Sequence, residues 1–208
     1  MIKKSEQVLK WKSDFGNEYI DRNEPTEERI KIRLLGLTRI FDSIKYSPPS
    51  SILECGCNIG LNLRALSRFS SASLFAIEPN GKAREILIKD NVLPEESLFD
   101  TDIEHLPFDD ASIDLVFTSG VLIHVPPERL EKAYSEIYRV SRKHIMAIEY
   151  FSKNPETLEY YGNADLLFKR DFGALWLDLY PDLKPIDEGF FWSRTTGFDD
   201  ATWWIFEK

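Results

Sequence analysis

A chain of 208 residues with 43% hydrophobic side chains can build one sizeable core, and it falls short of the length at which cores usually divide. Its formal net charge of −9 counts against broad contact with nucleic acid, which needs a basic face, and points to a small-molecule partner. No apolar run approaches the ~20 residues that span a bilayer, and the opening Met1–Gln7 lacks the apolar stretch of a secretion signal, so no membrane contact and a cytoplasmic location are expected.

In chain order, Trp11, Phe15 and Tyr19 recur at steps of four, so this stretch reads either as a packed N-terminal helix or as a lid over a binding site, with Tyr19 and Arg22 free to meet a ligand. Ile30, Leu34, Leu37, Phe41 and Ile44 predict an amphipathic helix over Thr26–Tyr46, stopped by Pro48 and Pro49. Ser51-Ile-Leu-Glu-Cys-Gly-Cys-Asn-Ile-Gly60 then runs from an apolar strand through an acid into a glycine-bearing turn. Glycines there permit positive φ and let backbone N–H groups approach a ligand. Cys55 and Cys57 have no third thiol to join, which excludes a disulfide framework and a four-thiolate metal site; they read as packing residues, and no metal is expected. A helix over Leu61–Phe69, a strand at Leu74–Ile77, a helix over Lys82–Lys89 and strands at Ser97–Asp100 and Ile113–Thr118 follow. Next come a helix over Pro127–Ser141 and a strand at His144–Phe151. Beyond it, Ser152–Asp165 reads as a polar loop, Phe168–Tyr180 as a helix, and Gly189–Trp192 and Thr202–Phe206 as strands.

This alternation predicts an α/β fold: a doubly wound, mostly parallel sheet with right-handed crossovers. Ligands in such sheets bind beyond the carboxyl ends of the strands, where Glu54, Glu78, Asp102 and Ser119–Gly120 all fall. Over roughly residues 50–150 these motifs resemble the S-adenosylmethionine-dependent methyltransferases of the Rossmann-like class. The resemblance implies a seven-stranded sheet with an antiparallel C-terminal strand, for which Trp203–Glu207 is the candidate, and S-adenosylmethionine as cofactor with S-adenosylhomocysteine as product. It places Glu54, Gly56, Cys57, Asn58 and Gly60 in the acid-and-glycine turn, with Asn58 where a glycine is frequent. It assigns Glu78, followed by Pro79, to the ribose hydroxyls, and Asp102 with the backbone of Ile103 to adenine. Ser119 and Gly120 complete the pocket, and Tyr19 is offered to the methionine carboxylate. A carboxylate accepting both hydroxyls of a vicinal diol is the physical sense of an acid at Glu78. Dinucleotide binding shares that acid, but expects Gly-x-Gly-x-x-Gly where this chain has Gly56-Cys-Asn-Ile-Gly60.

The whole chain reads as one domain: an N-terminal helical lid or cap (1–47), a cofactor-binding core (48–151), and a substrate-side segment with the closing strands (152–208). Both ends resemble a methyltransferase group associated with pseudaminic acid biosynthesis, which implies a sugar or nonulosonate acceptor; Trp176, Phe190, Phe191 and Trp192 are candidate ring platforms. If a hydroxyl must lose its proton, His124 is the first candidate base, expected to titrate near neutral pH, with Glu149 and Tyr150 next; His105 reads as a solvated loop residue. A non-catalytic S-adenosylmethionine-binding regulator and a methyltransferase acting on protein or RNA are the alternatives.

Overall fold

The computed structural model describes residues 5–208, so the reading of Met1–Lys4 lies outside the described residues. Helices α1 (Glu6–Trp11), α2 (Asp14–Asp21) and α3 (Glu27–Asp42) precede the sheet. Thr26 caps α3 by accepting the Arg29 N–H at 3.3 Å, Glu27 and Glu28 suit the positive end of its dipole, and Ile30, Leu37 and Ile40 face inward. β1 (Ser51–Cys55), α4 (Leu61–Leu66), β2 (Ser73–Ile77), α5 (Gly81–Lys89), β3 (Leu98–Phe99), β4 (Ile113–Ser119), α6 (Leu130–Val140) and β5 (Ser141–Glu149) alternate as the periodicity predicts. The remaining elements are β6 (Glu156–Tyr160), β7 (Asn163–Lys169), α7 (Phe172–Leu179), β8 (Lys184–Phe191), α8 (Ser193–Thr196) and β9 (Ala201–Glu207).

Seven strands form one sheet in the order β3-β2-β1-β4-β5-β9-β8. β1 to β5 pair in parallel, and β9 runs antiparallel between β5 and β8. The C-terminal strand is therefore antiparallel, as expected, and lies one place in from the edge. Successive residues of the central strands alternate between two apolar layers. Leu53, Val116, Ile145 and Phe206 pack toward α6 and α7, while Ile52, Leu115, Phe117 and Ile205 pack toward α3 and α4. The strand order reverses between β1 and β4, which opens a crevice at their carboxyl ends.

Three expectations differ from the structure. Ser152–Asp165 is not a loop: most of it forms a hairpin, β6 with the start of β7, turned by Tyr161 (φ 46°) and Gly162 (φ 76°). Two successive positive φ values define the tight turn that suits strand twist. The helix expected from Phe168 begins at Phe172, because Phe168 and Lys169 belong to β7 and the Asp171 side chain caps the helix from the Ala174 N–H at 2.9 Å. Of the expected Gly189–Trp192 strand, Gly189–Phe191 are the end of the longer β8, and Trp192 caps α8.

Candidate active site

One cavity of about 210 Å³ lies over the β1/β4 crevice. Its wall includes Tyr19, Glu54, Gly56, Cys57, Asn58, Glu78, Pro79, Asp102, Ile103, Ser119 and Gly120, so the structure gathers all the candidate cofactor residues except Gly60. Gly60 stands one step back, in the left-handed region, where it caps α4. Gly56 (φ 73°) makes the turn after β1, and a Cβ there would stand 2.8 Å from Val121 Cγ2, so the turn has no room for a side chain. Asn58 takes a positive φ of 49°, which asparagine tolerates.

The Glu78 carboxylate closes the turn: Oε2 accepts the Asn58 N–H at 2.7 Å and Oε1 the Asn80 N–H at 2.8 Å. Each oxygen keeps a second lone pair. Burial raises its pKa, and the two backbone donors oppose that rise. Asn80 then ties β2 to the N-terminal helices, since its Nδ2 donates to the Trp11 carbonyl at 2.8 Å and to Asn17 Oδ1 at 3.0 Å, while its Oδ1 caps α5. Asp102 Oδ1 accepts from the Glu104 N–H at 3.1 Å and from His105 Nδ1 at 3.0 Å, so His105 braces this acid and is more than a solvated loop residue.

Glu54 is buried on β1, and burial pushes its carboxyl up to about 8. Asn62 Nδ2 donates to Oε1 at 2.7 Å, whereas Oε2 has no partner. Arg33, on α3, reaches the same cavity and interacts electrostatically with Glu54. Its guanidinium stacks on Phe198 at 3.8 Å and comes no nearer than 3.8 Å to the Asp199 carboxylate. Sequence reasoning missed Arg33 and Asn62, whose positions inside helices give them no motif, and Asn80, which reads as a helix cap alone. Arg22, the cation expected to meet a ligand, lies over Tyr161 at 4.4 Å and does not line the cavity.

The N-terminal segment is helical, and Trp11, Gly16, Tyr19 and Ile20 from it line the cavity. The expected single helix breaks at Lys12–Ser13. Trp11 nevertheless meets Phe15 and Tyr19 edge-on at 5.2 and 5.3 Å.

Of the three candidate bases, His124 alone lines the cavity. Its Nδ1 lies 2.5 Å from the Leu166 carbonyl, and its ring packs between Trp11 and Tyr160 at 4.9 and 5.1 Å. The expectation that it titrates near neutral pH fails, because burial pushes it down to about 4. Glu149 is fully buried, and its carboxylate accepts the Val121 and Ile123 N–H groups at 3.2 and 3.3 Å, which fixes the segment that carries His124. Tyr150 is partly buried away from the cavity, where burial raises its hydroxyl pKa. The proposed ring platforms are also elsewhere: Trp176 and Phe191 are core, while Phe190 and Trp192 are about half exposed and off the cavity wall. Cys55 and Cys57 are free buried thiols whose pKa burial raises. Among the described residues no group of acids, histidines and thiols is arranged to hold a metal ion, and no helix is long and apolar enough to cross a membrane.

Residues 53–146 match the family model described as a methyltransferase domain. Among curated proteins, the chain is 26% identical over 131 residues to a sterol 24-C-methyltransferase of Schizosaccharomyces pombe, covering 57% of this chain and 34% of that protein. It is 29% identical over 113 residues to 24-methylenesterol C-methyltransferase 2 of Arabidopsis thaliana, covering 52% and 31%. The chain thus spans about a third of the length of these relatives. Among solved structures, the 1,6-didemethyltoxoflavin-N1-methyltransferase of Burkholderia thailandensis superposes with a TM-score of 0.69 at 16% identity, covering 97% of this chain and 87% of that one. The magnesium protoporphyrin IX methyltransferase of Synechocystis PCC 6803 superposes with a TM-score of 0.69 at 12% identity and complete coverage of both chains. The fold is that of the Rossmann-like methyltransferases.

Proposed function

With a methyltransferase domain at its centre, we propose that this chain moves the methyl group of S-adenosylmethionine to a small molecule. The observation that carries the reading is an acid and a cation on one cavity wall with contacts to spare: Glu54 Oε2 has no hydrogen-bond partner, and the Arg33 guanidinium comes no nearer than 3.8 Å to its ion-pair partner Asp199. An ammonium and a carboxylate on one carbon, the amino-acid end of S-adenosylmethionine, match that pair. A nicotinamide dinucleotide offers no such zwitterion. Glu78, with its spare lone pairs, suits the ribose diol, and Asp102 with the Ile103 backbone suits adenine. When bound, the cofactor supplies a methyl group already activated by a sulfonium, so the protein's work is to position the two reactants.

In this reading the segment up to residue 47 caps the cofactor, 48–151 hold it, and 152–208 help to frame the acceptor, all within one cytoplasmic enzyme. The small-molecule reading draws support from the sterol, toxoflavin and protoporphyrin methyltransferases to which the chain is similar. The finer reading is a sugar or nonulosonate intermediate, with the pseudaminic acid pathway as the context that the chain ends resemble. On the acceptor side it relies on Tyr19 beside Ser5, Gln7 and Asn23, since Trp176, Phe190, Phe191 and Trp192 are not at the cavity.

The test is calorimetry with S-adenosylhomocysteine and adenosine, which lacks the amino-acid end. Arg33→Met and Glu54→Gln should each weaken S-adenosylhomocysteine binding by roughly 10–100-fold and leave adenosine binding unchanged, since each removes one charge-assisted contact. Equal losses for both ligands, or none, would refute the assignment.

A further inference from the structure

We infer that the methyl acceptor presents an O–H or N–H group to His124 Nε2, so that this chain methylates a heteroatom and not carbon, unlike the sterol C-methyltransferases to which its sequence is similar. The inference deepens the methyltransferase reading and rests on it.

A carbonyl oxygen only accepts hydrogen bonds, so the 2.5 Å contact with Leu166 places a proton on Nδ1. A neutral imidazole then carries its lone pair on Nε2, and burial keeps the ring neutral down to about pH 4. Nε2 has no hydrogen-bond partner among the described residues, and the ring forms part of the cavity wall beside Ser119, Gly120 and Val121. The ring is also held in place. Trp11 from α1 and Tyr160 from β6 pack against it with interplanar angles of 62° and 56°, and Glu149 fixes the backbone of the segment that bears it.

A fixed lone pair on a ring that lines a cavity is matched by a hydrogen-bond donor, and a ligand without one would leave it desolvated and unpaired. A carbon acceptor would call instead for open aromatic faces around a developing cation. Here the Trp11 and Tyr160 rings are engaged with the imidazole. Transfer to a heteroatom balances: the acceptor's lone pair makes the new bond to the methyl carbon, the carbon–sulfur bond breaks with its electrons left on sulfur, and the acceptor's proton passes to Nε2. The positive charge moves from sulfur to the imidazole, which returns the proton to water.

Two measurements on the full chain saturated with S-adenosylhomocysteine test the inference. In protein carrying 15N-labelled histidine, His124 should show a protonated Nδ1 and a bare Nε2 across neutral pH; a proton found on Nε2 would overturn it. Phenol, used as a probe, should shift the Nε2 resonance, whereas toluene, which has the same shape without the hydroxyl, should not; equal shifts would overturn it. His124→Ala should weaken phenol binding about fivefold, the worth of one neutral hydrogen bond, and leave toluene unaffected. Failure of S-adenosylhomocysteine to bind at all would count against the methyltransferase reading itself. Normal binding with the wrong tautomer would count against this inference alone.

Discussion

Glu54 is a carboxyl held neutral in the free protein, and this gives the site a pH signature. Burial raises its pKa to about 8, so at neutral pH the empty site holds a proton that a bound ammonium would expel. S-adenosylhomocysteine should therefore bind more tightly as pH rises from 6 toward 8, with proton release visible as a dependence of the binding heat on buffer ionisation, and Glu54→Gln should abolish that dependence. His124 shifts the other way. Its folded pKa of about 4 lies below its ordinary value of 6.5, so the stability it contributes is complete above pH 6.5 and is lost as pH falls toward 4. The acid-side fall in the urea midpoint should be shallower in His124→Gln. At Glu78 the structure alters what a deletion means, because its carboxylate also anchors the Asn58 and Asn80 backbones. Glu78→Ala should lower stability as well as affinity, each by about 1.5–3 kcal/mol for a charged hydrogen-bond partner lost. Chemical denaturation beside calorimetry separates the two losses, and an unchanged affinity would contradict the ribose assignment.

At the scale of elements, the loop carrying Asp102 is held from α6. Arg139 donates to the Phe108 and Leu106 carbonyls at 2.7 and 3.0 Å, Glu136 accepts the Leu106 N–H at 3.0 Å, and Arg129 grips Glu104 through two contacts of 2.7 and 2.6 Å. Arg139→Ala should raise amide exchange across residues 102–110 and weaken adenosine binding several-fold, with the exchange of β1 unchanged; a rise spread over the whole sheet would mean global destabilisation instead. The elements themselves were legible where apolar periodicity and caps coincide, as in α3 with Thr26 and in β1 running into Gly56. They were illegible in the β6–β7 hairpin. Glu156-Thr-Leu-Glu-Tyr160 is polar and half exposed, so no buried face imposes a period, and the Tyr161-Gly162 turn was the one local signal. That hairpin supplies both the Leu166 carbonyl and the Tyr160 ring that hold His124, so missing it hid what sets the histidine's state. Arg33 was hidden for a related reason: its role follows from α3 packing beside the crevice, a contact that spacing along the helix does not encode.

Across the whole molecule, the parallel order β3-β2-β1-β4-β5 brings acids from three separate strand ends to one cavity; the N-terminal helices cover it, and the hairpin packs behind His124 on its wall. Lys10 bonds to Asn163, and Gln7 Nε2 donates to the Asp165 carbonyl at 3.4 Å, so the helices and the hairpin meet along a polar seam. Glu54 with Arg33, Glu78 and Asp102 line the crevice together, and we propose that they hold the amino-acid end, the ribose and the adenine of S-adenosylmethionine. The most direct measurement is therefore a calorimetric titration of the full chain with S-adenosylhomocysteine, run beside an identical titration with NAD. The expected result is saturable one-to-one binding of S-adenosylhomocysteine and no binding of NAD. Binding of NAD, or no S-adenosylhomocysteine binding at concentrations up to about 1 mM, where even a contact worth some 4 kcal/mol would register, would contradict it.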